Sequence, residues 1–391
     1  MPFSHTGALR TILIFLIAFC TGIQLVLKHR ENNTTSWKTI MRRTPIDYWL
    51  IGFSLWVAIS LVTAADFTYS WQQLFKKVGM YGLLYYGIVY SIRQINQIKF
   101  VLLGLLIGSI PISLYGIIQF IILHGNLFTG NVRISSVCAD YNFLSIYLLL
   151  IIPFIFIQTR IKLGKLWQSI AIIGFILGLV TQFLTYSRAG WVAIIAQFLL
   201  YGIIRSRKIL YVTVAVLLLI LILLPLTLWQ HPIPATLSGQ KQGLEDTFLV
   251  RLHLWQFAVS AIAQHPLTGI GFGMENYLHY YPQGLDADSG VPMVHCHNVF
   301  LDTALQIGIP GAVILLGLWI TFAITFWKGY RRETNPFIKE LFLVTLIALF
   351  GFFLRNIVDY IFRGEAALLF WYLMAVGIAG YVNKIEEPSQ N

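Results

Sequence analysis

Charge is scarce in this chain, and acid is scarcer still. Lys, Arg, Asp and Glu together make up 11% of 391 residues, and only 16 are Asp or Glu, whereas an average soluble domain is about 25% charged. Apolar side chains reach 57% and mean hydropathy is +0.74. That balance excludes a soluble globular enzyme. Three cysteines are too few for a disulfide framework. There is no internal repeat, no low-complexity tract and no linker between independent domains. Long apolar runs are what the chain has in plenty. At about 20 residues per span, roughly 220 apolar-rich residues supply on the order of eleven membrane helices, and the composition is that of a polytopic membrane protein.

Eleven runs can be read: Thr11 to Leu27, Ile46 to Ala65, Val78 to Ile92, Ile98 to Leu123, Phe143 to Gln158, Leu166 to Thr185, Gly190 to Ile204, Ile209 to Trp229, Val299 to Trp327, Leu341 to Val358 and Ala366 to Val382. Val78 to Ile92 and Gly190 to Ile204 are short for a span. The run from Val299 is long and carries Pro310 between Gly308 and Gly311, which predicts a kink or a two-part helix. The first run lacks a clear small-residue cleavage site and is followed by further spans, so no cleavable signal is expected.

The net charge of +11 must be placed around these spans. Alternate loops hold eighteen of the 27 cations, from Lys28, Arg30, Lys38, Arg42 and Arg43 through to Lys384, and the positive-inside rule puts that side in the cytoplasm. The other side keeps nine: Arg10, Lys76, Lys77, Arg133, Arg188, Lys241, Arg251, Arg355 and Arg363. With eleven spans the C-terminus is cytoplasmic and the N-terminus outside. The expected organisation is one functional domain, with transmembrane helices in 1–229, a large outer loop in 230–296, and transmembrane helices in 297–391.

Within the loop, Thr247 to Gln264 has helical apolar spacing suited to the membrane interface. Gly269, Gly271 and Gly273 follow and permit tight turns. No strand precedes them, so a Rossmann reading has little support. Cys20 lies in a span; Cys138 and Cys296 both fall outside, where a bridge is chemically permitted but an unpaired state is the more common outcome. His295-Cys296-His297 lacks further ligands at metal-like spacing, and no metal is expected.

Arg188, in TYSRAGW, stands at a short outer turn beside the hydroxyls of Thr185, Tyr186 and Ser187. Snorkelling is the usual fate of such an arginine, but guanidinium beside hydroxyls also suits phosphate. Arg251 lies on the amphipathic stretch with His253 and Trp255 near it, and interfacial anchoring and a ligand role weigh about evenly. Together the two offer a diphosphate-sized positive patch. His297-Asn298 opens the next span. A histidine there is more often structural, yet a neutral imidazole closing the same loop can take a proton from a hydroxyl, with Asp302 one turn on to orient it or to pair with an arginine. Lys76-Lys77, and Arg355, Asp359, Arg363 and Glu365, read most simply as anchors and local ion pairs. Lys77, Arg355 and Arg363 are kept as secondary candidates for a lipid-phosphate path.

These three segments, TYSRAGW, RLHLWQFAVSAIAQHPLTGIGFG and HNVFLDTALQIGIPG, resemble in order and spacing the O-antigen ligase and polymerase superfamily of bacterial inner membranes. The last fits a signature of His-Asn, nine residues, Gly, two residues, Gly, at His297, Asn298, Gly308 and Gly311. Length, the single large outer loop and the ending RNIVDYIFRGEAALLFWYLMAVGIAG resemble the ligases. The resemblance implies an all-α, GT-C-like membrane fold of eleven or twelve spans. It implies a glycosyltransferase needing neither metal, ATP nor cofactor and working at the periplasmic face. Its donor is then polysaccharide on undecaprenyl diphosphate and its acceptor lipid A-core, with no nucleic acid partner. Arg188 and Arg251 would hold the diphosphate, Asn298 would assist binding, and His297 would activate the acceptor hydroxyl. The nearest rival is a polysaccharide polymerase, which uses the same donor and a lipid-linked acceptor. A transporter or flippase would need ionisable residues buried in mid-span or inverted repeats with broken helices; the sequence has neither signal.

Overall fold

A computed structural model describes residues 6–31, 43–127, 130–160, 164–223, 244–281 and 295–383. Its helices in chain order are α1 (Thr6–Glu31), α2 (Asp47–Ser60), α3 (Phe67–Gln73), α4 (Met80–Ser91), α5 (Ile95–Ile122), α6 (Tyr141–Gln158), α7 (Lys165–Leu184), α8 (Arg188–Arg205) and α9 (Arg207–Leu223). They continue with α10 (Leu244–Gln264), α11 (Asn276–Tyr280), α12 (Val299–Arg332), α13 (Pro336–Ile357) and α14 (Gly364–Val382). Among the described residues there is no strand. Among the described residues each predicted apolar run is largely helical, and the fold is all-α.

Eight of these helices (α1, α5, α6, α7, α8, α12, α13 and α14) are long and apolar enough to cross a membrane. Of the other three expected spans, α2 has 14 residues and α4 has 12, and α9 is described over 17. A π-helical turn, Leu74–Gly79, leads directly into α4. The Ile209 to Trp229 run is described as helix only to Leu223, and most of the proposed loop before Leu244, with Lys241, lies outside the described residues, as does Lys384.

Helices apolar on all sides belong inside a bundle. That is where α6 sits, its sequence YNFLSIYLLLIIPFIFIQ having no polar stripe: 72% of its span is buried, against 11% for α1. Pro153 removes the N–H that Leu149 O would accept in the helix. Gln197 of α8 donates to that carbonyl at 3.1 Å, and Gly351 of α13 leaves the room its amide needs, since a Cβ there would lie 2.2 Å from Gln197 Nε2.

The helix ends sort the cations as the alternation of loops requires. At one end Arg205 pairs with Glu340 and Lys99 lies over the Phe337 ring. At the opposite end Arg10 pairs with Glu365 at 2.6 Å, beside Arg355 and Arg363.

The expected break in α12 falls at Ile307 and Gly308, whose φ of +78° is left-handed. Backbone groups freed there find partners. Ile270 and Gly271 donate to Leu305 O and Gln306 O, and the N–H of Ile309 donates to Pro266 O. Trp56 Nε1 donates to Ile307 O at 2.8 Å. The glycine-rich segment after α10 therefore docks onto the broken helix, with Gly269, Gly271 and Gly273 all at positive φ. The apolar face of α10 is covered by protein as well, through Leu254, Ala258 and Ala261 against Ile270 and Leu305. A Cβ at residue 308 would lie 1.9 Å from Leu267 O. Gly308→Ala is expected to add that clash to a left-handed backbone cost of about 1–2 kcal/mol, and to lower the Tm in detergent by several degrees; an unchanged Tm would contradict the tight docking.

Candidate functional site

His297 precedes α12 in a backbone with φ of +49°, which is uncommon for a residue other than glycine and concentrates at functional sites. The position is fixed by its neighbour. Asn298 caps α12, its Oδ1 accepting from the N–H groups of Phe300 and Leu301, while its Nδ2 donates to Ile357 O at 2.9 Å. Both polar groups of Asn298 are thus engaged by protein, and it ties the histidine turn to the end of α13.

That tie brings His297 Nδ1 to 2.9 Å from Asp359 Oδ1. Asp359 also accepts from the Tyr360 N–H, and its Oδ2 pairs with Arg355 at 3.1 Å, the two side chains being 8% and 2% exposed. Arg355 continues the chain, donating to Asn142 Oδ1 at 2.7 Å. The same oxygen accepts from Ser187 Oγ at 3.3 Å, one residue before Arg188. Tyr186, also in the TYSRAGW turn, has φ of +49° and donates to Leu127 O. A continuous network therefore joins the histidine turn to the arginine turn.

Arg188 is partly buried within electrostatic reach of Arg133 and Arg251, and Arg251 within reach of Asp359 and Arg355. The two predicted arginines and His297 are brought together at one end of the bundle. Arg133 joins them, its guanidinium 4.8 Å from the Tyr141 ring. Burial lowers the Arg251 guanidinium, against the pull of Asp359. For Asp359, burial alone would raise the carboxyl; Arg355 and then His297 hold it well below the usual carboxylate range. It stays ionised beside the imidazole.

Burial pushes the His295 imidazole down to about 3, with His297 and Arg363 acting in the same direction. An unfolded histidine takes its proton below about pH 6.5, whereas folded His295 does so only near pH 3. Stability from the neutral ring is therefore complete above about pH 6.5 and is lost as pH falls through that window. Thermal unfolding from about pH 7 to 4.5 is expected to show a falling Tm, with a shallower fall in His295→Phe. Equal slopes would contradict the buried neutral ring.

His295, His297 and Asp359 place ligand atoms within 4.8 Å of one another, the donor set among the described residues most like a metal site. Cys296 is not part of it. Asp359 supplies the further donor that the spacing of His295 and His297 did not reveal; Arg355 holds its second oxygen, and Arg251 lies within electrostatic reach of it.

Other candidates fall elsewhere. Asp302 neither orients His297 nor meets an arginine; it faces inward and accepts from Tyr277 Oη, the Cys296 N–H and Gln306, because the helical turn that follows the cap points it at α11. Trp255 donates to Cys296 O at 2.9 Å rather than serving as a belt residue, and His253 is exposed. Arg355 is buried, so snorkelling does not describe it. Arg363 lies 5.6 Å over the Phe143 ring, Lys77 lies 5.4 Å over Phe272, and the three cysteines are free.

Sequence reasoning passed over Arg133 and Asn142 and gave Asp359 only a local role. The spacing of Arg355 and Asp359, four apart, signalled their pairing. Nothing local signals that Asp359 meets His297, 62 residues away.

No curated protein matches this chain. Residues 173–316 match the sequence model of the family described as O-antigen ligase. The matched stretch holds Arg188, Arg251, His297, Gly308 and Gly311.

Proposed function

We propose that this protein is an O-antigen ligase of the bacterial inner membrane, moving polysaccharide en bloc from undecaprenyl diphosphate to a sugar hydroxyl of lipid A-core at the periplasmic face. The observation that carries the reading is the convergence of Arg188 and Arg251 with the His297–Asp359 pair.

In this reading His297 donates its Nδ1 proton to Asp359, a tautomer assigned from the hydrogen-bond network. Its Nε2 is then free to accept the acceptor hydroxyl proton. The acceptor oxygen bonds to the anomeric carbon as the bond to the diphosphate breaks, inverting the centre. The electron pair leaves on undecaprenyl diphosphate, whose charge Arg188 and Arg251 stabilise, with Arg133 adjacent. Diphosphate needs no protonating acid, which suits a site with a single ionised carboxylate beside the base. Asp359 holds the ring and balances the imidazolium, and Arg355 holds Asp359.

Guanidinium groups supply the positive charge, so the transfer is proposed to need no metal. Purified protein in excess EDTA is expected to keep its rate within about twofold; a loss restored by one divalent cation would contradict this. The same donor site would serve a polymerase. A strain lacking the gene separates the two: long lipid-linked polymer with bare lipid A-core supports the ligase, and attachment of single repeat units supports the polymerase.

A further inference from the structure

The turn that places His297 also places a second imidazole beside it, one that the proposed reaction does not use. His295 and His297 stand with ring centroids 4.2 Å apart, and the His297 N–H donates to His295 Nδ1 at 3.4 Å. Cys296 between them faces inward: it is buried, and its N–H is bonded to Asp302. Asp359 completes the group, with Oδ1 2.9 Å from His297 Nδ1, and one ligand atom from each of the three residues lies within 4.8 Å of the others. Arg355 fixes Asp359 through its second oxygen, while the His297 side chain is 23% exposed. The group is therefore held from within and reachable from solvent.

Two imidazoles and one carboxylate oxygen are a donor set for a borderline divalent cation, with a fourth position left for water. Bonds of about 2.0–2.2 Å to such an ion put neighbouring donors roughly 3–3.5 Å apart, so His297 Nδ1 and Asp359 Oδ1 need separate only slightly to admit it. The surrounding charge decides which ion. Arg355 bonds Asp359, Arg251 lies within electrostatic reach of Asp359, and Arg363 within reach of His295. One carboxylate among three guanidinium groups offers no net attraction, which excludes Mg²⁺ and Ca²⁺, cations held by several oxygens. Zn²⁺ and Cu²⁺ gain from each nitrogen bond itself.

We infer that His295, His297 and Asp359 form an inhibitory site for a borderline divalent cation such as Zn²⁺, whose binding takes His297 out of the transfer reaction. In that reaction the ring proton of His297 is on Nδ1 and Nε2 is empty. A neutral ring bonded to the ion through Nδ1 carries its proton on Nε2 instead. The proton moves between the two nitrogens through solvent and none is gained or lost, but Nε2 no longer accepts from a hydroxyl. Asp359 exchanges its hydrogen bond to the ring for a bond to the ion, and Arg355 stays on its other oxygen as an outer support. The inhibitory consequence rests on the proposed reaction; the binding site does not.

The test uses full-length protein purified without a polyhistidine tag and titrated calorimetrically with Zn²⁺ and, separately, with Mg²⁺. Zn²⁺ is expected to bind and Mg²⁺ is not. Cu²⁺ is expected to give an electron paramagnetic resonance spectrum with coupling to two imidazole nitrogens in the wild-type protein and to one in His295→Phe. Saturating Zn²⁺ is expected to stop transfer by the wild-type protein. His295→Phe is expected to weaken Zn²⁺ binding by at least about tenfold, and to keep its basal rate while escaping inhibition. His295→Cys supplies a ligand again and is expected to restore Zn²⁺ binding, which separates a lost ligand from a disturbed fold. No Zn²⁺ binding by the wild-type protein, or binding that His295→Phe leaves unchanged, would overturn the inference. Zn²⁺ bound through both histidines with transfer undiminished would overturn the inhibitory role and the assignment of His297 as base together, while leaving the metal site in place.

Discussion

His297→Ala is expected to lower polysaccharide transfer by about 10²–10⁴-fold, the usual worth of a positioned general base, with the KM for the lipid-linked donor little changed. The split follows from geometry: the histidine faces the acceptor hydroxyl in this reading, while the arginines hold the donor. Asp359→Asn is expected to cost on the order of 10³-fold by losing the tautomer and the charge that balances the imidazolium. It also leaves Arg355 buried without its counter-charge, a destabilisation of about 3–5 kcal/mol, so its rate must be read beside its Tm. Asp302→Asn, altering a carboxylate bonded to Tyr277 and Gln306, is expected to move Tm more than rate. Rate assays of the three variants at matched membrane insertion check this. An Asp302→Asn rate defect as large as that of Asp359→Asn would return the orienting role to Asp302.

Arg188→Ala and Arg251→Ala are each expected to cost about 10²–10³-fold in kcat/KM, the scale for removing one preorganised charge from a leaving-group site. Lysine is not expected to restore either, because an ammonium lacks the paired donors that match two phosphate oxygens. Combined, the two losses are expected to be less than multiplicative, since both act on one diphosphate. Arg133→Ala is expected to give a smaller defect concentrated in the donor KM. Initial rates against donor concentration measure all four. Full activity of either Arg188→Lys or Arg251→Lys would argue that these residues supply only a diffuse positive field.

Much of the bundle was legible because its physics is local. Among the described residues each apolar run is largely helical, and the break at Ile307 and Gly308 followed from a glycine and a proline in one helix. Helix length was less legible, since α2 and α4 fall short of the span length met by the other eight. For the candidate site, residue chemistry singled out Arg188, Arg251 and His297, whose polar side chains are unusual in an apolar chain. The partners that position them were hidden. Asp359 reaches His297 across 62 positions, and Arg355 reaches Asn142 across 213; no periodicity encodes such contacts. Asp302 misled because nearness in sequence suggested nearness in space, whereas the helix turns it toward Tyr277. Asn298 invited a binding role, although an asparagine just before a helix is first of all a cap.

The central claim is that the His297–Asp359 pair and the two arginines form one transfer site. It is tested most directly by incubating the purified protein with undecaprenyl-diphosphate-linked polysaccharide and lipid A-core in detergent without ATP. The account predicts joined lipopolysaccharide from the wild-type protein, and none above background from His297→Ala, Arg188→Ala or Arg251→Ala variants of unchanged Tm. Joining by all three variants at the wild-type rate would contradict it.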